Sequence, residues 1–310
     1  MKCVVTGATG FIGRTLCAYL KGQQHEVTAL SRNAMRAVTQ LPQGVECVSW
    51  GPDAEPEWKR RVAAADAVFH LAGESIAAKR WTPRVKQVLR ASRTEPTRLL
   101  VSAMREASTR PGVLISASAT GYYGDCGDRE VTEATPQGHD FLAQVCGSWE
   151  AEAYKAGEFG VRVVVIRFGV VLGSGGALTR ILYPFPFHLS PWKAGLAGPL
   201  GSGRQWMPWI DGVDAVRLMS WASAHTEAAG GFNGVSPNPV TNREFTQTLG
   251  RVVGMWTPFR VPAFALRLAL GEFAETLLTG QRAIPAATEA QGFKFHAPLL
   301  EPVLCAILAR

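Results

Sequence analysis

Apolar residues recur in two alternating rhythms along the first half of the chain. KCVVTG (2–7), HEVTALSR (25–32), GVECVSW (44–50), AVFHLAG (67–73), GVLISASA (112–119) and VRVVVIRFG (161–169) are short β-rich runs, the pattern of strands. Between them FIGRTLCAYLKGQ (11–23), WKRRVAAA (58–65), KQVLRASRTEPTRLLVSAMREA (86–107) and DFLAQVCGSWEAEAYKAGEFG (140–160) space their apolar residues three and four apart, as helices with one buried face do. Pro96 falls inside the third of these helices and is expected to kink or divide it. VFHLA and VRVVVIR are apolar nearly throughout, as strands covered on both faces should be. Such alternation predicts βαβ units, hence an α/β fold whose parallel sheet carries helices on both faces. After about residue 174 the texture changes. Residues 174–212 are rich in Gly, Pro and Trp with little periodicity, which reads as a loop-dominated segment over an active site. REFTQTLGRVVG, AFALRLALGEFAETLL and EPVLCAILAR then read as helices.

Composition narrows the function classes. The chain has 310 residues, 47% of them hydrophobic, enough for a sizeable core. No apolar run approaches the roughly 18 residues of a membrane span. MKCVVTGATG enters a strand pattern directly, without an apolar leader, so a cytoplasmic protein is expected. The formal net charge is +7, but the bases are dispersed and no arginine-rich arm appears, so no nucleic-acid partner is expected. The six cysteines are scattered without metal-ligand spacing. They read as free thiols in a reducing compartment, with no metal site.

The first strand runs into Thr6-Gly7-Ala8-Thr9-Gly10-Phe11-Ile12-Gly13, and a helix follows. In that setting Gly7 allows a tight turn, Gly10 lets backbone approach a pyrophosphate, and Gly13 lets the helix pack on the strand. The helix N-terminus then offers free N–H groups to the phosphates. A glycine-rich turn in a flavodoxin-like or nucleoside-binding domain is the other reading. The second strand ends in Ser31-Arg32-Asn33, where an NAD-binding domain usually has an acid for the ribose hydroxyl. A guanidinium and a serine hydroxyl suit a 2′-phosphate, so NADP(H) is the expected cofactor. An arginine that stacks on adenine without selectivity is the alternative.

The T-G-x-x-G-x-x-G loop, with two residues between its first two glycines, resembles that of the extended short-chain dehydrogenases. His70-Leu71-Ala72-Gly73, SASATGYYG (116–124) and RFGVVLG (167–173) resemble further segments of that superfamily. A narrower resemblance lies in LAGESIAAKRW (71–81), SASATGYYGD (116–125), RFGVVLGSGGAL (167–178) and GPLGSGRQWMPWIDGVD (198–214), together with the C-terminal FRVPAFALRLALGE and LLTGQRAIP. These stretches resemble the atypical subgroup called epimerase family proteins, also described as sugar-nucleotide epimerases or cell-division inhibitors. The resemblance covers essentially the whole chain. It implies a Rossmann-type, doubly wound NADP-binding core over residues 1–174. A substrate-side region with a small C-terminal α/β domain would occupy 175–310, with segments of about 205–235 returning to the main sheet. It also implies cofactor contacts from the loop Gly7–Gly13 (Gly7, Thr9, Gly10, Phe11, Ile12, Gly13), from Ser31 and Arg32, from Leu71, Ala72 and Gly73, and from Arg93. The subgroup often has a cofactor-contacting Lys or Arg before the W-E of its helix; here that position is Ser148. The resemblance supplies no substrate.

The superfamily uses Tyr-x-x-x-Lys for proton transfer. None of the five tyrosines here is followed four residues later by lysine. If Ser148 fills the lysine position, Gln144 fills that of the tyrosine, and neither can serve. The substitutes at the strand ends are Ser118, Tyr122, Tyr123 and Glu74. Each has a structural reading beside the catalytic one: a capping hydroxyl for Ser118, an aromatic wall for the tyrosines, and an ion pair with Lys79 or Arg80 for Glu74. Cys146 shares helical spacing with Phe141, Leu142, Val145 and Trp149 and reads as a core packer. Arg204 and Gln205 are donors suited to a phosphate or carboxylate, and Trp206 and Trp209 are stacking walls, unless the segment is a structural turn with a buried tryptophan. Asp214 reads as structural. Two functions follow: an NADP(H)-dependent oxidoreductase or epimerase of a small molecule, or a non-catalytic NADP(H)-binding regulator. A homodimer or a regulatory protein partner accompanies either.

Overall fold

A computed structural model describes residues 1–176 and 197–309. Most of the expected loop, residues 177–196, lies outside the described residues. Seven strands form a wholly parallel sheet: β1 (Lys2–Thr6), β2 (Glu26–Ser31), β3 (Glu46–Ser49), β4 (Ala67–His70), β5 (Val113–Ala119), β7 (Arg162–Phe168) and β11 (Gly230–Gly234). Their spatial order is β11-β7-β5-β4-β1-β2-β3. The order reverses at β1, which pairs with β2 on one side and β4 on the other. Open α/β sheets bind ligands at such a switch point, beyond the carboxyl ends of the strands.

The sheet buries both faces because successive strand residues point to opposite sides. On one face Cys3, Val5, Phe69, Ile115, Val164 and Ile166 pack with Leu16, Cys17 and Leu20 of α1 (Phe11–Gly22) and with the helix Gly212–Ala224. On the other, Val4, Leu30, Val68, Leu114 and Val165 meet Trp58 and Val62 of α3 (Glu57–Ala63) and Leu100, Val101 and Met104 of α4 (Pro83–Glu106). Full burial of such a side chain contributes roughly 1.5–3 kcal/mol. α4 runs unbroken through Pro96. Leu89 before the proline and Leu100 after it are both buried, so packing on either side offsets the lost hydrogen bond and the helix is not divided.

Three helix starts around the sheet are set by side-chain caps. Thr82 caps α4, Asp140 caps α5 (Phe141–Tyr154) and Asp211 caps the helix Gly212–Ala224. α1 begins at Gly10 without a side-chain cap and without an acid in its first turn.

Short strand pairs tie the remainder to this frame. β6 (Glu130–Val131) pairs with β13 (Arg282–Ala283), β8 (Val170–Leu172) with β10 (Trp209–Asp211), and β9 (Trp206–Met207) with β12 (Val240–Thr241). A second core gathers Leu172 and Trp209 with Phe245, Leu249, Leu300, Val303 and Leu304. Asp214 is structural: its buried carboxylate accepts the backbone N–H groups of His296 (3.0 Å) and Ala297 (2.8 Å) and pairs with Arg217. No described helix is long and apolar enough to cross a membrane.

Candidate dinucleotide and substrate site

The loop after β1 fits a dinucleotide phosphate. Gly7 has φ +66°, a conformation glycine adopts freely. A Cβ there would lie 2.6 Å from the Leu71 carbonyl carbon and 2.9 Å from Ala72 N. The loop thus packs directly on the segment after β4, and the two regions expected at the cofactor meet. A Cβ on Gly13 would collide with the Gly7 carbonyl and come within 2.6 Å of the Ala8 Cα. Gly10 N–H donates to the Gly7 carbonyl (3.0 Å), closing the turn. The carbonyl of Thr9 accepts from Arg14 (2.8 Å). The uncapped N–H groups around Phe11, Ile12 and Gly13 remain at the head of α1. The ring of Phe11 faces Gly173, Gly176 and Gly212, none of which has room for a larger side chain there.

At the end of β2 the Ser31 hydroxyl bonds the Asn33 backbone on both sides (3.2 Å each). It shapes the turn from which Arg32 projects, its side chain 88% exposed. The nearest carboxylate to Arg32 is Glu74, at 3.7 Å. The ion pair of Glu74 is therefore with Arg32 rather than with Lys79 or Arg80. Arg80 instead donates to the Leu268 carbonyl (3.2 Å).

His70, the last residue of β4, is fully buried. Its Nδ1 lies 2.7 Å from Thr6 Oγ1 and its Nε2 2.8 Å from Thr97 Oγ1. Thr97 donates to the Arg93 carbonyl (2.6 Å), so it accepts from Nε2–H. Nδ1 therefore accepts from the Thr6 hydroxyl, which in turn accepts from Leu71 N–H (3.2 Å). The chain of bonds fixes one neutral tautomer, and burial pushes the imidazole down to about 4. Arg93 lies under the same segment: it donates to the carbonyls of Glu74 (2.9 Å) and Leu89 (3.0 Å) and sits 5.4 Å from the Trp149 ring. Its side chain also fills the space beside Gly73.

Beyond β5 the structure gives the expected proton carriers other partners. Ser118 is buried, and its hydroxyl donates to Glu150 (2.6 Å). Glu150 forms a buried two-point pair with Arg167, at 3.0 and 2.8 Å. Burial works against the Arg167 charge, but the hydrogen bonds and charge of Glu150 outweigh it and raise its pKa. Arg167 also donates to the Tyr123 hydroxyl (3.0 Å), which donates to Asn233 Oδ1 (2.7 Å). Burial pushes Tyr123 up to about 12, so it is no base near neutrality. The Tyr122 ring lies 3.5 Å from the Arg167 guanidinium, a cation–π stack.

On α5, Gln144 donates to the His139 carbonyl (3.1 Å), and Ser148 bonds back to the Gln144 carbonyl (2.8 Å). The positions four apart that face the end of β5 are instead Leu142, against Gly121, and Cys146, beside Ser118 and Ala119. Burial pushes the Cys146 thiol up to about 11. It is a core packer, in contact with the site's edge.

On the substrate side two expectations change. Trp209 is fully buried and its indole donates to the Asn238 carbonyl (3.2 Å), so it is no stacking wall. Gln205 uses its amide donors on the carbonyls of Leu200 (3.0 Å) and Leu277 (2.8 Å), which leaves only its oxygen free. Trp206 stays half-exposed, with its indole N–H on Asp128 (3.0 Å). Arg204 is exposed and lines a cleft of about 310 Å3 with Gln205, Asp125 and Asp128. Among the described residues no group of His, Cys, Asp and Glu could hold a metal ion.

The sequence patterns did not bring Glu150 and Arg167 together. The signal was present: Arg167 sits in the apolar run VRVVVIRFG, and Glu150 sits on the sheet-facing side of its helix. A buried charge needs a partner, so each predicts the other.

Comparison with known proteins agrees with this geometry. Residues 3–233 match the model of the NAD dependent epimerase/dehydratase family, and residues 261–307 match a domain of unknown function, DUF1731. An epimerase family protein of Mycobacterium bovis is 42% identical over 94% of this chain and 92% of its own. The chloroplastic SDR39U1 homolog of Arabidopsis thaliana is 39% identical over 99% of this chain and 87% of its own. Human epimerase family protein SDR39U1, solved with NADPH, superposes with a TM-score of 0.86 at 33% identity, each chain wholly covered. With its glycine loop, its switch-point crevice and matches of this extent, the chain belongs to the NAD dependent epimerase/dehydratase family.

Proposed function

We propose that the protein binds NADP(H) and acts as an oxidoreductase or epimerase on a small molecule. The observation that carries the reading is Arg32: an exposed guanidinium at the end of β2, where an acid would favour NAD. The collision sites at Gly7 and Gly13 and the uncapped start of α1 support a bound pyrophosphate, and the human relative was solved with NADPH. Bound nicotinamide would supply or accept a hydride. The protein's own part is to hold the phosphates with backbone N–H groups, to meet the 2′-phosphate with Arg32, and to fix Leu71–Ala72 through His70 and Arg93. Of the four groups first considered for proton transfer, Tyr122 keeps its place, because Ser118 and Tyr123 bond buried partners and Glu74 lies near Arg32. The free thiols favour a reducing, cytoplasmic setting. The test is stereospecific loss of label from deuterated NADPH across a metabolite panel; no transfer to any candidate refutes the enzymatic reading.

A second reading draws on the same Ser118 and Tyr123 contacts. With those hydroxyls committed, the protein would be a regulator whose binding to a protein partner, or to a second copy of itself, follows NADPH/NADP+ status. It expects tight cofactor binding without turnover. A partner captured equally with NADPH, NADP+ or neither counts against it.

A further inference from the structure

The sheet order places β1 between β2 and β4. Adjacent strands lie roughly 5 Å apart, so the ends of β2 and β4 stand roughly 10 Å from each other, with the glycine loop leaving β1 between them. Only long side chains meet across that gap. Arg32, just past β2, and Glu74, four residues past β4, do so at 3.7 Å.

Both ends of this bridge are anchored. The Glu74 N–H donates to Ser92 Oγ (3.2 Å) and its carbonyl accepts from Arg93 (2.9 Å), both residues of α4. The turn that carries Arg32 is shaped by the Ser31 hydroxyl on the Asn33 backbone. The two charged heads are the mobile part, with side chains 88% and 49% exposed.

A Rossmann site that selects NAD places an acid at the end of β2, where it accepts from the ribose 2′-hydroxyl. Here β2 runs into Ser31-Arg32-Asn33, yet a carboxylate reaches the same place from the segment after β4. That carboxylate opposes a 2′-phosphate in two ways. It engages Arg32 before the cofactor arrives, and it repels a group that carries roughly −1.5 to −2 charges near neutrality. Solvent screening at exposed heads keeps the effect small. Arg32 turns from Glu74 to a phosphate at little cost, so the carboxylate lowers affinity without closing the site.

We propose that Glu74 is a specificity-determining residue: it restrains Arg32 and holds down the preference of the crevice for NADP(H) over NAD(H). The inference rests on the proposed NADP(H) binding and adds to it the charge that limits its selectivity.

The test titrates the intact protein with NADPH and with NADH, read by nicotinamide fluorescence at low and at high salt. Glu74→Gln removes the charge and keeps the shape, whereas Glu74→Asp keeps the charge on a shorter stem. At low salt Glu74→Gln should bind NADPH about two- to fivefold more tightly than wild type, the range of an exposed ion pair, and NADH about equally. The gain should shrink at high salt, and Glu74→Asp should show less of it. NADPH affinity that is unchanged or weaker in Glu74→Gln overturns the proposal. So does a gain shared equally by NADH, which would come from the loop rather than from the 2′-phosphate. The wild-type titrations separate the two readings. A wild type that binds NADPH no better than NADH sinks the NADP(H) reading and this inference with it, whereas a strong NADPH preference untouched by Glu74→Gln sinks this inference alone.

Discussion

Acidification should destabilise the fold through His70. The imidazole is fully buried, and both ring nitrogens are engaged by Thr6 and Thr97. Burial lowers its pKa from 6.5 to about 4. In the window between those values the unfolded chain carries a proton at this side chain and the folded chain does not. Stability therefore falls as pH drops through 6.5 and stops falling near 4. The full contribution is about 3 kcal/mol, of which about 2 kcal/mol is lost between about pH 7 and about pH 5. That is a large share of a stability of roughly 5–15 kcal/mol. The assay is urea unfolding of wild type and His70→Gln at both pH values. Glutamine keeps polar atoms between the threonines but does not titrate. Wild type should lose about 2 kcal/mol more than the variant on acidification. Equal losses would refute the reasoning, because they would assign the acid sensitivity to groups other than the buried imidazole.

Arg32→Ala should weaken NADP(H) binding about ten- to a hundredfold, the worth of charge-assisted bonds to a phosphate, and leave NAD(H) nearly unchanged; paired fluorescence titrations decide, and equal loss for both cofactors removes Arg32 from the 2′-phosphate. Gly13→Ala forces a methyl into the Gly7 carbonyl. It should lower stability by about 1–3 kcal/mol and weaken cofactor binding, measured by thermal shift with and without NADPH; an unperturbed NADPH-dependent shift would mean that the loop yields. Arg167→Leu strands Glu150 as a buried unpaired carboxylate and should cost about 3–5 kcal/mol. The double replacement Arg167→Leu with Glu150→Leu should recover part of that loss in urea unfolding, and strict additivity would show that the two charges are not coupled.

How far the sequence led depends on the distance over which each feature is determined. Strand runs, the glycine loop and the end of β2 are local patterns, and each is found where the periodicity predicts it. The side-chain partners are not local. Arg32 and Glu74 are 42 positions apart in the sequence and meet at 3.7 Å only because β2 and β4 flank the same strand. Trp206 and Trp209 are near neighbours in a run that looks uniform, yet the pairing of β10 with β8 buries the second and leaves the first half-exposed. Helical periodicity identified α5 but not the residues that meet the end of β5. There the structure has Leu142 and Cys146, with Gln144 and Ser148 bonded elsewhere.

One turn further along the helix, Glu150 accounts for what α5 does instead. It takes the Ser118 hydroxyl and the Arg167 guanidinium, and Arg167 in turn reaches Tyr123 and Tyr122. Ser118, Tyr122 and Tyr123, three of the four side chains that sequence position nominated for moving protons, are thereby joined into one ionic cluster. Asn233 extends it to the C-terminal region by donating to the Ile284 carbonyl (2.9 Å). The neighbouring strand residue of that region is Ala283, whose strand β13 pairs with β6. Through Asn233 the cluster therefore ties the backbone beside β13 to β11 of the main sheet.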